Sequence, residues 1–388
     1  MSSVPKLFQP LKVGNITLQH RVVLSPLTRN RATEKTMVPV VPLVKKYYEQ
    51  RGSTPGTLLI TEATMIAPKA GGYFNVPGIF SQEQIDAWKE VVDGVHAKGS
   101  FIFLQLWALG RTGQADVLKF FGDYDLVSAS DIPLSYAAPS PKNPHLPPVR
   151  ALTIPEIKEY TELFAQAAKN AVFGAGFDGV EVHGANGYLI DQFLQDVSNR
   201  RTDEYGGSVE NRSRFALEVV DKVVEAVGAE RTAIRLSPWG SFQEMRMKDP
   251  KPQFSHLVEQ LKEKQPNLAY IHVVEPRVNG STDLQVTPEG ESNEFIRKIW
   301  APRPLVRAGG FNTRELALNV AEETGNLISF GRWFIANPDL PVRISKGIPW
   351  TQYDRKTFYI PASNPEAYKG YIDYPFAEQE GDVVESVA

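Results

Sequence analysis

The sequence predicts a single (β/α)8 barrel, and three observations lead there. Eight short apolar runs recur along the chain, and each is followed by a stretch with helical spacing. The runs are continuously apolar rather than alternating, as expected of parallel strands covered on both faces. The chain has 388 residues, a length that suits a closed barrel with insertions. A doubly wound open sheet is the runner-up.

Residues 11–18, centred on Gly14-Asn15, read as an N-terminal hairpin. The first strand is Val22–Leu27, followed by a helix over Leu43–Arg51, and the second is Leu58–Ala63. The helix Ser81–Lys98 opens on a Ser-x-x-Gln capping box, carries Ile85, Trp88, Val92 and Val95 on one face, and stops at Gly99. Phe101–Trp107 is the third strand. A long loop over 111–152 follows, with Pro139, Pro141, Pro144, Pro147 and Pro148, and a loop of that length in a compact domain is usually functional or mobile. Thr153–Phe173 is a helix with a Thr-x-x-Glu box and a buried stripe of Ile157, Tyr160, Phe164, Ala167 and Ala171. Gly179–His183 is the fourth strand, and a helix starts near Leu189. Helix Ser208–Val227 precedes strand Thr232–Ser237, and helix Phe254–Lys264 precedes strand Ala269–Val274. Helix Glu291–Trp300, strand Pro304–Ala308, helix Thr313–Glu323, strand Leu327–Gly331 and helix Asp339–Lys346 complete the set. The tail from Thr351 is aromatic and then acidic, and is expected to fray. No linker divides the chain, so residues 1–388 read as one domain.

Composition narrows the function. A net charge of −3 gives no reason to expect a nucleic-acid partner. Zero cysteines exclude disulfides, thiolate metal sites, cysteine nucleophiles and iron–sulfur clusters. The N-terminus has no apolar signal region and no apolar run is long enough to cross a bilayer, so the expected location is cytoplasmic. Asn15-Ile-Thr, Asn211-Arg-Ser and Asn279-Gly-Ser match the glycosylation pattern by chance on that view. The six histidines show no metal-ligand spacing, and no metal is expected. Gly174-Ala-Gly-Phe-Asp-Gly179 matches G-x-G-x-x-G but follows a helix and precedes a strand, the reverse of a dinucleotide fingerprint.

Barrel chemistry sits at the C-terminal ends of the strands. His183, Asn186 and Tyr188 lie at the junction after the fourth strand. His183 and Asn186 could aim two N–H donors at one acceptor oxygen, with the phenol of Tyr188 as a nearby proton source. That would polarise an activated alkene and protonate the carbon beside the activating group. The alternative is that the pair only holds the loop. Thr28, Gln105, His183 and Arg235 end other strands and could converge on a planar, hydrogen-bonding ligand. Gly309-Gly310 and Gly331-Arg332 follow the last two strands, where backbone N–H groups commonly hold phosphate. A flat heterocycle bearing a phosphate, such as flavin mononucleotide, fits.

These residues and their surroundings resemble the old yellow enzymes, the FMN-dependent ene-reductases that include plant 12-oxophytodienoate reductases. The resemblance runs from about Leu7 to Phe376 and rests on Ser25-Pro-Leu-Thr-Arg-Asn-Arg, Gly56-Thr-Leu-Leu-Ile-Thr-Glu-Ala, Gly71-Gly-Tyr, Leu104-Gln-Leu-Trp, His183-Gly-Ala-Asn-Gly-Tyr, Arg201-Thr-Asp-Glu-Tyr-Gly-Gly-Ser-Val-Glu-Asn-Arg, Arg235-Leu-Ser-Pro, Arg307-Ala-Gly-Gly and Phe330-Gly-Arg. It implies that Pro26, Leu27, Thr28, Ala63 and Gln105 line the isoalloxazine, Arg235 sits by its N1 and O2, and Gly309, Gly310, Gly331 and Arg332 hold the phosphate. It further implies that His183 and Asn186 bind the substrate oxygen, that Tyr188 donates the proton, and that Tyr73, Trp107 and Tyr359 shape the pocket. The implied reaction is ping-pong: NADPH reduces tightly bound FMN, and the flavin then gives hydride to the β-carbon of an enone. A monomer or homodimer is expected. Ala63 stands where many relatives have glycine, Thr282 replaces a common aromatic residue, and segments 242–254 and 278–286 are expected to overhang the pocket. Within the same fold the chain also resembles the fungal branch acting on chanoclavine aldehyde, some of whose members isomerise and have phenylalanine for the tyrosine. Tyr188 favours reduction. A non-catalytic flavin-binding protein is the remaining alternative.

Overall fold

The computed structural model describes residues 4–135, 148–280, 282–284 and 286–377. Eight parallel strands close into a barrel: β1 Val22–Leu24, β2 Leu58–Ile60, β3 Phe101–Trp107, β4 Gly179–Gly184, β5 Thr232–Leu236, β6 Tyr270–Val274, β7 Leu305–Ala308 and β8 Leu327–Phe330. Each pairs in parallel with the next, and β8 pairs with β1 through Ile328↔Val22, so no edge is left open. The main helices are α1 Leu43–Arg51, α2 Gln82–His96, α3 Ile154–Lys169, α4 Val209–Val227, α5 Lys251–Lys264, α6 Glu294–Trp300, α7 Arg314–Thr324 and α8 Leu340–Lys346. The capping boxes at Ser81 and Thr153 form as their sequences require. The third helix ends four residues early and runs into a wider π-type turn over Asn170–Ala175.

Alternation along the strands separates two cores. Val180, Val182, Ile234, Leu236, Ile271 and Val273 face outward into the layer beneath the helices. Val23, Leu58, Ile60, Phe103, Ala233, Tyr270, Val306 and Leu327 fill the barrel interior, where Val13, Ile16 and Leu18 of the hairpin join them. The hairpin strands Leu11–Val13 and Ile16–Leu18 therefore plug the N-terminal end of the barrel. The opposite end is left for ligands.

Two regions differ from expectation. The long loop is partly ordered by a helix, Ala115–Gly122, and by a short parallel pair, Val127–Ser128 with Arg150–Ala151. Pro148 lies within the described residues, and Pro139, Pro141, Pro144 and Pro147 lie outside them. The aromatic part of the tail packs rather than frays, with Phe358 and Tyr371 buried. Buried Arg29 and Arg31 hold it by donating to backbone carbonyls of Phe358, Ala367 and Gly370. The physical cause is satisfaction of those carbonyls and stacking of the guanidinium groups on Tyr371. The acidic end, 378–388, lies outside the described residues.

Candidate active site

At the open end of the barrel the inward positions turn polar. Phe103, Ala233 and Tyr270 face inward low in β3, β5 and β6, and two residues further on the same faces carry Gln105, Arg235 and His272. On β4 the inward residues are Glu181 and His183, with His183 level with Arg235. The period of two therefore carries all five polar groups into the barrel mouth.

The turn after β4 is pinned. Asn186 adopts a left-handed backbone (φ 59°), which asparagine tolerates. Its N–H donates to Ser237 Oγ at 2.7 Å, and Gly187 N–H donates to Asp191 Oδ2 at 2.8 Å. The Asn186 side-chain amide itself has no protein partner among the described residues. The backbone N–H of Ala185 donates to His183 Nδ1 at 3.3 Å, which leaves the ring proton on Nε2. Burial, aided by Arg235 and His272, holds the His183 pKa well below the usual value, so the ring is neutral. Tyr188 packs edge-on to both Trp107 and His183, each at 4.9 Å. Burial and neighbouring Tyr73 raise its phenol above the ordinary range, with Gln243 pulling it back, so the hydroxyl stays protonated.

Two adjoining cavities open here and share Pro26, Leu27, Asn186, Gly280 and Tyr359. One is also lined by Arg235, Gly309, Gly310, Gly331 and Arg332, and the other by Thr28, Tyr73, Trp107 and Tyr188. His183, Gln105 and Ala63 are buried beside them: Ala63 clusters with Trp107 and Tyr73, and Gln105 bonds Glu181. Every residue expected at the site is thus brought to one end of the barrel. Arg332 is not a free cation, because it pairs with Asp283 and donates to Tyr353 Oη at 3.0 Å. Phe242 and Gly280 reach over the mouth from the two overhanging segments.

Two further residues belong to the site, Glu181 and Gln243. Glu181 is legible in the sequence, since it shares the inward face with His183 two positions on. Gln243 is not, because it arrives from a loop in which Gln243, Glu244 and Arg246 all have positive φ. Buried Arg111 holds that loop, donating to Gln243 O at 3.1 Å.

The sequence profile of the NADH:flavin oxidoreductase / NADH oxidase family matches residues 6–351. The chain belongs to this family. It is 52% identical to the NADP-dependent oxidoreductase lnbE of Aspergillus flavus, over 98% of each chain. It is 51% identical to the chanoclavine-I aldehyde reductase fgaOx3 of Penicillium roqueforti, over 99% of this chain and 100% of the relative. It is 49% identical to a relative from Epichloe festucae var. lolii named a probable inactive reductase, over 97% of each. The structure of Old Yellow Enzyme from Pichia sp. AKU4542 superposes with a TM-score of 0.86 at 39% identity, covering 96% of this chain and 94% of that one. The protein is an FMN-dependent oxidoreductase of the old yellow enzyme fold, in its fungal branch. No described helix is long and apolar enough to cross a membrane.

Proposed function

We propose that this protein is an NADPH-dependent ene-reductase in which His183 and Asn186 hold the carbonyl oxygen of an enone and Tyr188 protonates its α-carbon. The observation that carries the reading is the grouping of a neutral imidazole with its proton on Nε2, an unengaged amide and a protonated phenol around one cavity.

The residues fit FMN. Arg235 Nε is buried without a partner, which suits a ligand acceptor at that point. Gly309 and Gly310 have φ of 105° and 68°, and a Cβ on Gly309 would stand 2.6 Å from Val278, so the backbone there is bare by necessity. Pro26, Leu27, Thr28, Ala63, Gln105 and Arg235 are assigned to the ring, and Gly309, Gly310, Gly331 and Arg332 to the phosphate. Held by these residues, FMN would supply the hydride chemistry that links NADPH to the alkene.

The chain's own residues do the rest. Two N–H donors on one oxygen draw electron density from the double bond and stabilise the negative charge that develops there. The phenol of Tyr188 gives its proton to the α-carbon, so hydride and proton together saturate the bond. Tyr73, Trp107 and Tyr359 provide apolar walls. A single pocket that takes NADPH and then the enone requires alternating occupancy. We assign the whole chain to one cytoplasmic catalytic domain, acting as a monomer or homodimer. Action on an aldehyde such as that named for the Penicillium relative is the second reading, and the retained Tyr188 argues against an inactive protein. Initial rates at several fixed NADPH concentrations with 2-cyclohexenone should give parallel double-reciprocal lines. Intersecting lines would contradict a shared pocket.

A further inference from the structure

Glu181 is a charged residue on the inward face of β4, among the polar groups that sit directly above the apolar filling of the barrel. It has no exposed surface. Gln105 Nε2 donates to its Oε1 at 2.7 Å, and His272 Nδ1 lies 2.8 Å from its Oε2. Burying a carboxylate costs several kcal/mol before pairing, and an apolar residue would fill the same space without that cost. Burial opposes ionisation, but His272, then the nearby Arg235 and the Gln105 amide, hold the carboxyl below the usual carboxylate range, so the group stays ionised.

These contacts fix an orientation. An ionised carboxylate only accepts, so the half of the Gln105 amide facing it is the NH2. The Oε1 of Gln105 is turned away and has no protein partner among the described residues. Gln105 is therefore presented as an acceptor. Arg235, two strands along, can only donate, and its Nε is unpaired. The pyrimidine edge of an oxidised isoalloxazine carries one N–H, at N3, flanked by acceptors. One acceptor and one donor arriving from β3 and β5 complement that edge.

We propose that Glu181 is a positioning residue for the flavin: it locks the Gln105 amide with its carbonyl oxygen toward the ring's N3–H, and it is the buried counter-charge that moderates Arg235. This rests on the FMN reading. The reduced flavin carries negative charge, so the balance between Arg235 and Glu181 sets how strongly the site favours reduction. With Glu181 neutralised, Arg235 acts uncompensated.

The test compares Glu181→Gln and Glu181→Asp with the wild-type holoenzyme, reading the two-electron reduction potential, FMN affinity after reconstitution, and melting temperature. Glu181→Gln is expected to favour the reduced flavin about tenfold, a shift of about +30 mV for two electrons, and to weaken FMN binding by a similar factor. Glu181→Asp keeps the charge but shortens the reach, so it should weaken FMN binding while leaving the potential near wild type. Lower melting temperatures with both potentials unchanged would overturn the proposal and leave Glu181 a packing residue. If Glu181→Gln does not fold, wild-type protein carrying FMN labelled with ¹⁵N at N3 decides. An N3–H signal downfield of free FMN and slow to exchange with water supports the lock, and one that exchanges like free FMN overturns it. Wild-type protein that takes up no flavin overturns the underlying reading as well, and is told apart because the failure precedes any variant.

Discussion

Gln243 Nε2 donates to the backbone carbonyl of Asn186 at 2.8 Å, so the loop after β5 clamps the turn after β4. Gln243 holds this position with φ at 58°, a left-handed conformation that costs a non-glycine residue on the order of 1 kcal/mol. The clamp ties a substrate-binding residue to a segment that overhangs the pocket.

Removing the clamp should loosen the substrate oxygen site more than it destabilises the fold. Gln243→Ala and Gln243→Gly both lose a hydrogen bond of about 1 kcal/mol, and kcat/KM for the enone should fall about fivefold to tenfold. Glycine also relieves the backbone strain, so its melting temperature should exceed that of the alanine variant. Equal kcat/KM in both variants and wild type would remove Gln243 from the site.

Tyr188→Phe should separate the two half-reactions. Loss of a general acid slows its step roughly a hundredfold to ten-thousandfold, so reoxidation by the enone should slow to that degree. Flavin reduction by NADPH needs no proton from this residue and should stay within about twofold. Stopped-flow measurement of each half-reaction checks this, and equal slowing of both would assign Tyr188 to binding instead.

Stability should fall on mild acidification through His20. Its Nδ1 accepts from Val22 N–H at 3.2 Å, and Nε2 lies 2.9 Å from Thr57 Oγ1, whose own proton goes to Thr54 O. The neutral ring fits both contacts, whereas a protonated ring would set N–H against N–H. Burial lowers its pKa from 6.5 to about 4. The folded pKa is depressed, so the stabilisation is complete above pH 6.5 and is lost as pH falls toward about 4. The change is roughly 3 kcal/mol. Denaturant midpoints between these pH values should fall less steeply for His20→Gln than for wild type, and parallel curves would contradict the assignment.

Gly309→Ala should weaken FMN binding. At φ 105°, with a Cβ only 2.6 Å from Val278, the substitution strains the backbone and pushes at the segment over the cavity. The conformational part alone costs about 1–3 kcal/mol, and FMN affinity measured by flavin fluorescence should fall at least tenfold. Unchanged affinity would place the phosphate elsewhere.

The barrel was legible because its strands are covered on both faces and read as uninterrupted apolar runs between capped helices. Ser81 and Thr153 cap their helices as their motifs require. Strand-end residues such as His183, Gln105 and Arg235 could be named because the fold fixes which end carries polar groups. Contacts made by irregular backbone were not legible. Nothing in the local pattern announces that Gln243 reaches Asn186, that Asp283 pairs with Arg332, or that Arg31 holds the tail through the carbonyl of Ala367. These depend on loops whose paths are set by partners distant in sequence. The helix Ala115–Gly122 was obscured by the proline-rich stretch that follows it.

The most direct test of the central claim is an anaerobic titration of the purified protein followed by its visible spectrum, first with NADPH and then with 2-cyclohexenone. The account predicts a yellow flavin spectrum that bleaches with NADPH and returns on addition of enone, with one equivalent of saturated ketone formed. A flavin that bleaches but is not restored by the enone would contradict the ene-reductase assignment, and a protein that neither carries nor takes up FMN would contradict the whole account of the site.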